Sequence, residues 1–427
     1  MTPRRVAITG FGAVTPLGND AETTWSALVA GTSGIRTIQT FDPERLNSRM
    51  AGEVRDLDPG LVLDRKETRR TDRFVHLALV ATREAMDRAG LPARLEGAAA
   101  EETGAIIATG MGGNTTLFEQ IAISTTRGPD RLSPFFIPMA IGNLGAGYVS
   151  IAFGAQGPNF ATVSACASGG HAIGEAAEII LRGDAEVMLA GGTEAPIVEA
   201  IVGGFDAMRA LSRRNDDPEA ASRPFDAARD GFVIAEGAAT LVLEEAGHAI
   251  RREAPILAEL AGYGATADAA HITLPAAGGS GAVRATRRAL QKAGLEPAAV
   301  DHVSAHATST PEGDAAELAA FRTLFGAEEA ASLTSGTLAS RPAISAIKGA
   351  IGHTLGAAGA IASVAALLAL RDGCIPPTLN LHDPDPRAGH LDCTPLVASE
   401  RPVDIALVNA FGFGGHNTAL ILRRWEA

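Results

Sequence analysis

One cysteine among small residues, two well-separated histidines, a lysine and a glycine-rich turn are the side chains here whose types and spacing suit covalent chemistry. "TVSACASGGHAIGEA" (162–176) sets Cys166 between an apolar run and a helix-like stretch. A strand feeding a tight turn of Ala165, Cys166 and Ala167 would seat the sulfur at a helix N-terminus. Free amides and the helix dipole there favour thiolate and lower the pKa from about 8.5. The same amides can hold the oxyanion of a tetrahedral intermediate. The competing reading is a small buried thiol that fills space, and this segment alone does not choose between them. Cys374 in "RDGCIPP" and Cys393 in "LDCTP" lack the setting and read as structural.

"VSAHATSTPEGD" (303–314) places His306 straight after a strand, followed by Thr308, Ser309 and Thr310; it reads as a ligand-facing or a hydroxyl-satisfied loop histidine. "SAIKGAIGHTLGAAGA" (345–360) carries Lys348 and His353 in a glycine-rich run that enters a helix. It is not a phosphate loop, because GxxxxGK[ST] is absent. "NAFGFGGHN" (409–417) is a glycine-rich turn between strands that offers backbone amides and two phenylalanines, or simply a tight hairpin. "GFGAVTPLG" (10–18) fails as a dinucleotide fingerprint, since Thr15 stands where the third glycine belongs and Pro16 follows.

The elements that must position these groups alternate between strand and helix, which predicts an α/β fold. "RRVAITGFGAV", "TGAIIATGMGG", "NFATVSACAS", "EVMLAGGTEA" and "AATLVLEEA" read as strands; "ETTWSALVAG", "RFVHLALVATREAMDRAG" and "GHAIGEAAEIILRG" read as amphipathic helices closed by glycine. After "LAELAGYGATADA" the alternation restarts with helix "GAVRATRRALQKAG" and strand "AVDHVSAHATSTP", then helix "GAAGAIASVAALLALRDG" and strand "VDIALVNAFGFGG". "GDAEVMLAGG" (183–192) and "PVDIALVNAFGFGG" (402–415) look alike, which hints at two related halves, 1–260 and 261–427, in one compact unit.

At 427 residues, 46% hydrophobic and 20% charged, the chain can bury a large core and reads as soluble. The longest apolar run, "IASVAALLAL", is about half the roughly 20 residues a membrane span needs. The N-terminus enters a strand pattern almost at once, which argues against a secretory signal. Three scattered cysteines make neither a disulfide framework nor a zinc site and suit a reducing cytoplasm. The net charge of −13 disfavours nucleic acid and anionic membrane. "DRKETRRTDR" (64–73) is a local basic exception, either a solvated helix face or a dock for an acidic partner.

Taken together and in order, "SPFFIPM", "VSACASGGHAIG", "GDAEVMLAGGTEA", "RALSRRNDDPEAASRPFDAARDGFV", "HATSTPEGD", "IKGAIGHTLGAAGA", "IPPTLNL" and "NAFGFGGHN" closely resemble the type II β-ketoacyl-acyl-carrier-protein synthases. The resemblance runs along essentially the whole chain. It implies the thiolase-type fold, two pseudo-repeated α/β halves layered α-β-α-β-α with mixed five-stranded sheets. It also implies decarboxylative Claisen condensation of malonyl-carrier with a Cys-bound acyl chain. By the same resemblance Cys166 is the nucleophile, His306 and His353 are the catalytic histidines, and Lys348 organises His353. The amides of Cys166 and Phe413 form the oxyanion hole, with Phe413 also a gate. Thr308 and Thr310 bind phosphopantetheine; Met111, Phe205 and Phe411 line or gate the acyl site. Lys66, Arg69, Arg70, Arg131 and Arg209 dock an acidic acyl carrier protein. No metal or resident cofactor is implied, because phosphopantetheine arrives on the carrier, and a homodimer is the usual assembly.

Five positions depart from the family pattern: Ala235 and Ala307 stand for glycine, Ile351 for a small or hydroxyl residue, Ala410 for serine and Ala362 for glutamate. The last would leave Lys348 short of a partner. These changes keep a second reading open, the ketosynthase of a type II polyketide pathway, including a polyene one, working as the active half of a heterodimer with a chain-length-factor subunit. A degradative thiolase would want a second cysteine in the C-terminal glycine turn. A type III initiating synthase would want asparagine where His353 stands. A silent chain-length factor would lack Cys166.

Overall fold

β-branched and small apolar residues pair into ten strands of one mixed sheet in a computed structural model that describes residues 4–326 and 342–426. The strands are β1 (Val6–Val14), β2 (Thr103–Ala108), β3 (Asn159–Phe160), β4 (Val187–Glu194) and β5 (Gly237–Glu245), then β6 (Ala258–Ala267), β7 (His302–Ser304), β8 (Ala343–Ser345), β9 (Ile405–Gly412) and β10 (His416–Arg424). Their spatial order is β8-β7-β9-β10-β6-β1-β5-β4-β2-β3. Read outward from the centre, the two halves are the same: β1-β5-β4-β2-β3 and β6-β10-β9-β7-β8. In each half the inner pairings are antiparallel and the outer two parallel. The look-alike segment 183–192 holds most of β4 and 402–415 all of β9, and the two strands hold equivalent places. The two five-stranded sheets are not separate, however. A short antiparallel contact, Ala7 to Glu259 and Ile8 to Ala258, joins β1 to β6.

Five helices form most of the layers, with Leu144–Phe153 packed beside the first of them. Of the strands, α1 (Arg73–Arg88) packs mainly on β1, β5 and β4, and α3 (Ser280–Ala293) on β6, β10 and β9, so these are the outer layers. Between them α2 (Ser168–Arg182) and α5 (Ala358–Asp372) touch strands of both halves and each other. α4 (Pro311–Leu324) flanks α3. α5 is apolar all round, and Ala358 to Leu370 are all buried, which is the pattern of a helix enclosed on every side. With its leading turn it is long and apolar enough to cross a membrane, but it is mostly buried as the middle layer of this fold. Each large aliphatic side chain enclosed there contributes about 1.5–3 kcal/mol of burial.

The glycine pair rejected above as a nucleotide motif has a packing reason. A Cβ at Gly12 would stand 2.1 Å from the Ala81 carbonyl of α1, and one at Gly264 would stand 2.0 Å from the Ala285 carbonyl of α3. "GFG" in β1 and "GYG" in β6 thus let an outer helix lie directly on the first strand of each half.

Two expected strands are much shorter than their sequences suggest. Of 159–168 only Asn159–Phe160 pairs, and of 299–311 only His302–Ser304. In both cases the chain leaves the sheet early because the residues beyond turn into the site.

Candidate active site

Cys166 occupies the turn that enters α2. Ala165 adopts φ +50, a strained conformation for a residue with a side chain, costing about 1–3 kcal/mol. Ala167 caps the helix and Ser168 Oγ accepts from the Ser164 amide, closing the turn. The backbone amides of Cys166 and Phe413 both interact with the sulfur. Phe413 can approach because residue 412 is glycine: a Cβ there would lie 2.5 Å from the Ser164 carbonyl. Expectation and structure part over the thiol's acidity. Cys166 is 9% exposed, and burial pushes its pKa up to about 12, although Lys348 and the two amides pull the other way. Desolvation disfavours the bare thiolate more than the helix terminus favours it.

His353 Nε2 lies 3.0 Å from Cys166 Sγ. The residue is held in strand-like bonds to the 233–235 segment, donating to the Val233 carbonyl and accepting from the Ala235 amide. His306 faces it edge-on, ring centroids 5.5 Å apart at 86°. Phe232 packs against His353 and Phe411 against His306. Burial and the Lys348 charge hold both imidazoles well below their ordinary pKa, so they are neutral. No described group bonds Nδ1 of either ring, so neither tautomer is locked.

Lys348 makes its contact with the other histidine from the one expected. Its ammonium donates to the His306 carbonyl, not to His353. Glu317 of α4 accepts from the His306 and Ala307 amides, at 2.8 and 2.6 Å. Lys348 is therefore not left alone by Ala362: Glu317 and Asp314 both favour its charge, while burial pushes Lys348 down and Glu317 up. Asp314 in turn accepts from the Ser309 and Phe225 amides and faces Arg229 at 3.6 Å. The sequence reading missed Glu317, Asp314 and Arg229. The visible signal was two acids one helical turn apart directly after "HATSTP".

One cavity of about 390 Å³ joins these groups. Cys166, His306 and His353 share its lining with Met111, Phe205, Phe411, Phe413, Thr308 and Thr310. Thr308 and Thr310 hydroxyls are 3.0 Å apart. Phe205 stacks edge-on with Phe232, while Met111 and Phe413 are partly exposed. Arg209, in a left-handed turn at φ +56, lines the cavity and is exposed. The other basic residues lie apart from it. Lys66, Arg69 and Arg70 border a shallow basin with Arg65 and Phe135, and Arg70 lies over the Phe135 ring at 4.4 Å. Arg131 is exposed and pairs with Asp130 at 3.4 Å. Among the described residues, no acid forms an ion pair with Lys66 or Arg69.

All five departures from the family pattern are buried. Ala235 fits between Gly52 and Gly352, and Ala410 against Gly359. Ala362 and Ala410 stand where the family pattern has a carboxylate and a hydroxyl, and Glu317 of α4 supplies a carboxylate that favours the Lys348 charge.

A buried cysteine at a helix start, two neutral imidazoles and an amide pair on a doubled α/β layer define a thiolase-type acyl-transfer enzyme. Comparison with known proteins agrees. The β-ketoacyl synthase N-terminal domain matches residues 3–249 and the C-terminal domain residues 257–382. The 3-oxoacyl-[acyl-carrier-protein] synthase 2 of Coxiella burnetii is 45% identical over 424 residues, 99% of each chain. That of Synechocystis is 44% identical over 423 residues, again 99% of each. Among solved structures, a β-ketoacyl synthase from Burkholderia phymatum has TM-score 0.90 at 36% identity, covering 99% of this chain and 100% of that one. The ishigamide ketosynthase/chain length factor has TM-score 0.90 at 32% identity. A type II polyketide acyl-carrier protein in complex with its ketosynthase bound to the hexaketide has 0.88 at 33%. Both cover 100% of each chain. The chain belongs to the β-ketoacyl synthase family and is an acyltransferase.

Proposed function

We propose that Cys166, His306 and His353 carry out the family's condensation, extending a carrier-bound acyl chain by two carbons, with Lys348 and Glu317 holding the His306 segment in place. The observation that carries this is the 3.0 Å contact between Sγ and His353 Nε2 inside a cavity that also holds His306. As the sulfur attacks an acyl thioester, its proton passes to His353 Nε2. The Cys166 and Phe413 amides hold the oxyanion. Collapse expels the pantetheine thiolate, which takes that proton and leaves acyl-Cys166. Malonyl-carrier then binds, carbon dioxide departs, and the electron pair moves onto the thioester oxygen as an enolate held by imidazole N–H donors. The enolate carbon attacks the acyl carbonyl, the carbon–sulfur bond to Cys166 breaks, and the released thiolate takes up one proton from solvent, the proton that decarboxylation of the malonyl carboxylate consumes overall. The tetrahedral oxyanion meets two amides and the enolate two imidazoles, so the cycle calls for no metal or redox group. Thr308 and Thr310 are proposed to bind the phosphopantetheine arm that the carrier brings, which their place in the cavity lining supports.

The 44–45% identity to 3-oxoacyl-[acyl-carrier-protein] synthase 2 relatives, against 32–33% to the polyketide ketosynthases, supports fatty-acid elongation, and we propose a cytoplasmic homodimer. Ile151, Phe160 and Val163 are exposed beside the open edge of β3, an apolar margin suited to a second copy. The polyketide neighbours favour the second reading. The chain purified alone, incubated with acyl carriers of graded length and with polyenoyl carriers, separates the two by intact mass. Saturated adducts on a chain that sediments as a dimer are expected. Adducts only from polyenoyl carriers, or a lone monomer, would move the assignment to a heterodimeric polyketide ketosynthase.

Carrier docking is proposed at Lys66, Arg69 and Arg70, with Arg131 and Arg209 contributing. A Lys66→Glu/Arg69→Glu variant is expected to raise KM for acyl-carrier roughly tenfold, with little change in kcat and a weaker response to salt. Unchanged KM in a steady-state assay would return the segment to a solvated helix face.

A further inference from the structure

Glu194, the last residue of β4, is fully buried and takes no part in the cycle above. Its carboxylate accepts four hydrogen bonds. Oε1 accepts from Thr109 Oγ1 at 2.8 Å and the Met111 amide at 3.1 Å. Oε2 accepts from the Gly110 amide at 2.7 Å and the Gly356 amide at 2.8 Å. Among the described residues no ion pair accompanies it, so its charge rests on hydrogen-bond donors. The site is shaped for it: a Cβ on Gly110 would stand 2.7 Å from Oε2, and one on Gly356 2.6 Å from it.

The donors come from two segments that meet at the reacting centre. Thr109 to Met111 is the turn after β2, and both Gly110 and Met111 line the acyl cavity. Gly356 closes the turn that begins at His353, whose Leu355 lines the same cavity at φ +44. Burial pushes Glu194 up to about 7, and its negative charge also opposes ionisation of Cys166.

We propose that Glu194 is a positioning residue that clamps the acyl-cavity wall at Gly110–Met111 to the turn carrying His353, so that chain-length selection and imidazole placement are set by one brace. An acyl chain pressing on Met111 then loads amides that share a carboxylate with Gly356. The inference rests on the reading of Cys166 as acyl acceptor and of the imidazoles as enolate donors.

Glu194→Gln tests it, because the amide keeps the length but turns an NH2 group against two of the N–H donors. Two rates are read beside a melting curve: kcat/KM for long against short acyl-carriers, and malonyl-carrier decarboxylation in a Cys166→Gln background, where no acyl chain is loaded. The long-to-short ratio and the decarboxylation rate are each expected to fall about tenfold with the melting transition retained. Should the variant not fold, Thr109→Val removes one donor, keeps the carboxylate and is read the same way. An unchanged ratio and decarboxylation rate would overturn the brace, as would losses that merely follow the folded fraction. Failure of the wild-type chain to acylate Cys166 or to decarboxylate would instead count against the underlying reading.

Discussion

Cys166→Ala is expected to abolish acyl-enzyme formation and to lower condensation by about 10⁴-fold or more while the chain stays folded. The alanine removes only a sulfur from a turn already closed by Ser164 and Ser168, so the loss reports chemistry. The size follows from what the thiol does. It supplies the covalent intermediate, and the oxyanion amides have nothing to act on without it. Its mode of activation is set by burial. With the thiol pushed up to about 12, hardly any thiolate stands free at neutral pH, and attack needs the proton to move to His353 Nε2 as the carbon–sulfur bond forms. Labelling by a small alkylating agent is therefore expected to stay slow near neutrality and to rise with pH toward the raised pKa. A plateau already reached near pH 7 would contradict this and restore the free-thiolate picture. Intact-mass measurement of acyl adducts checks the first claim directly: equal adducts on wild type and Cys166→Ala would remove Cys166 from its role.

Much of this site was legible because its parts are local. The small residues around Cys166, the glycines before His353 and the "GFGG" turn each encode a backbone shape that only a few residues permit, and Gly412 shows why. Helix limits followed from periodicity and closing glycines, as in α1 and α2. The strands next to the site were overdrawn, since apolar alternation continues through 161–168 and 305–307 after pairing has stopped. What ends pairing there is tertiary: Glu317 collects the His306 and Ala307 amides. Likewise, the acidity of Cys166 could not be read from its turn alone, since the desolvation that decides it comes from elements far away in the chain. The Lys348 partner was misjudged for the same reason, because the carboxylates near it come from α4 and not from the helix that carries Ala362.

His306→Ala and His353→Ala, each made in a Cys166→Gln background, are expected to lower malonyl-carrier decarboxylation by about 10²–10³-fold. In that background no acyl chain is loaded and no thiol proton needs a home, so the assay isolates the enolate step. Two neutral N–H donors suit an oxygen that becomes negative only in the transition state, and at buried rings each is worth more than in water. The pH profile distinguishes this from acid catalysis by an imidazolium. Both rings are held well below their ordinary pKa by burial and by Lys348. Neutral donors stay in place from above pH 7 down through the usual imidazole range, so the imidazoles themselves add no rise in rate as pH falls from about 7 to 6. An acidic catalyst would instead gain activity as pH falls through that range. On the alkaline side a decline is expected. Burial holds Lys348 below the usual lysine range, and its loss of a proton removes the charge that fixes the His306 carbonyl. If either alanine variant decarboxylates at the parental rate, that imidazole has no share in the enolate, and the site would need another donor at the same oxygen.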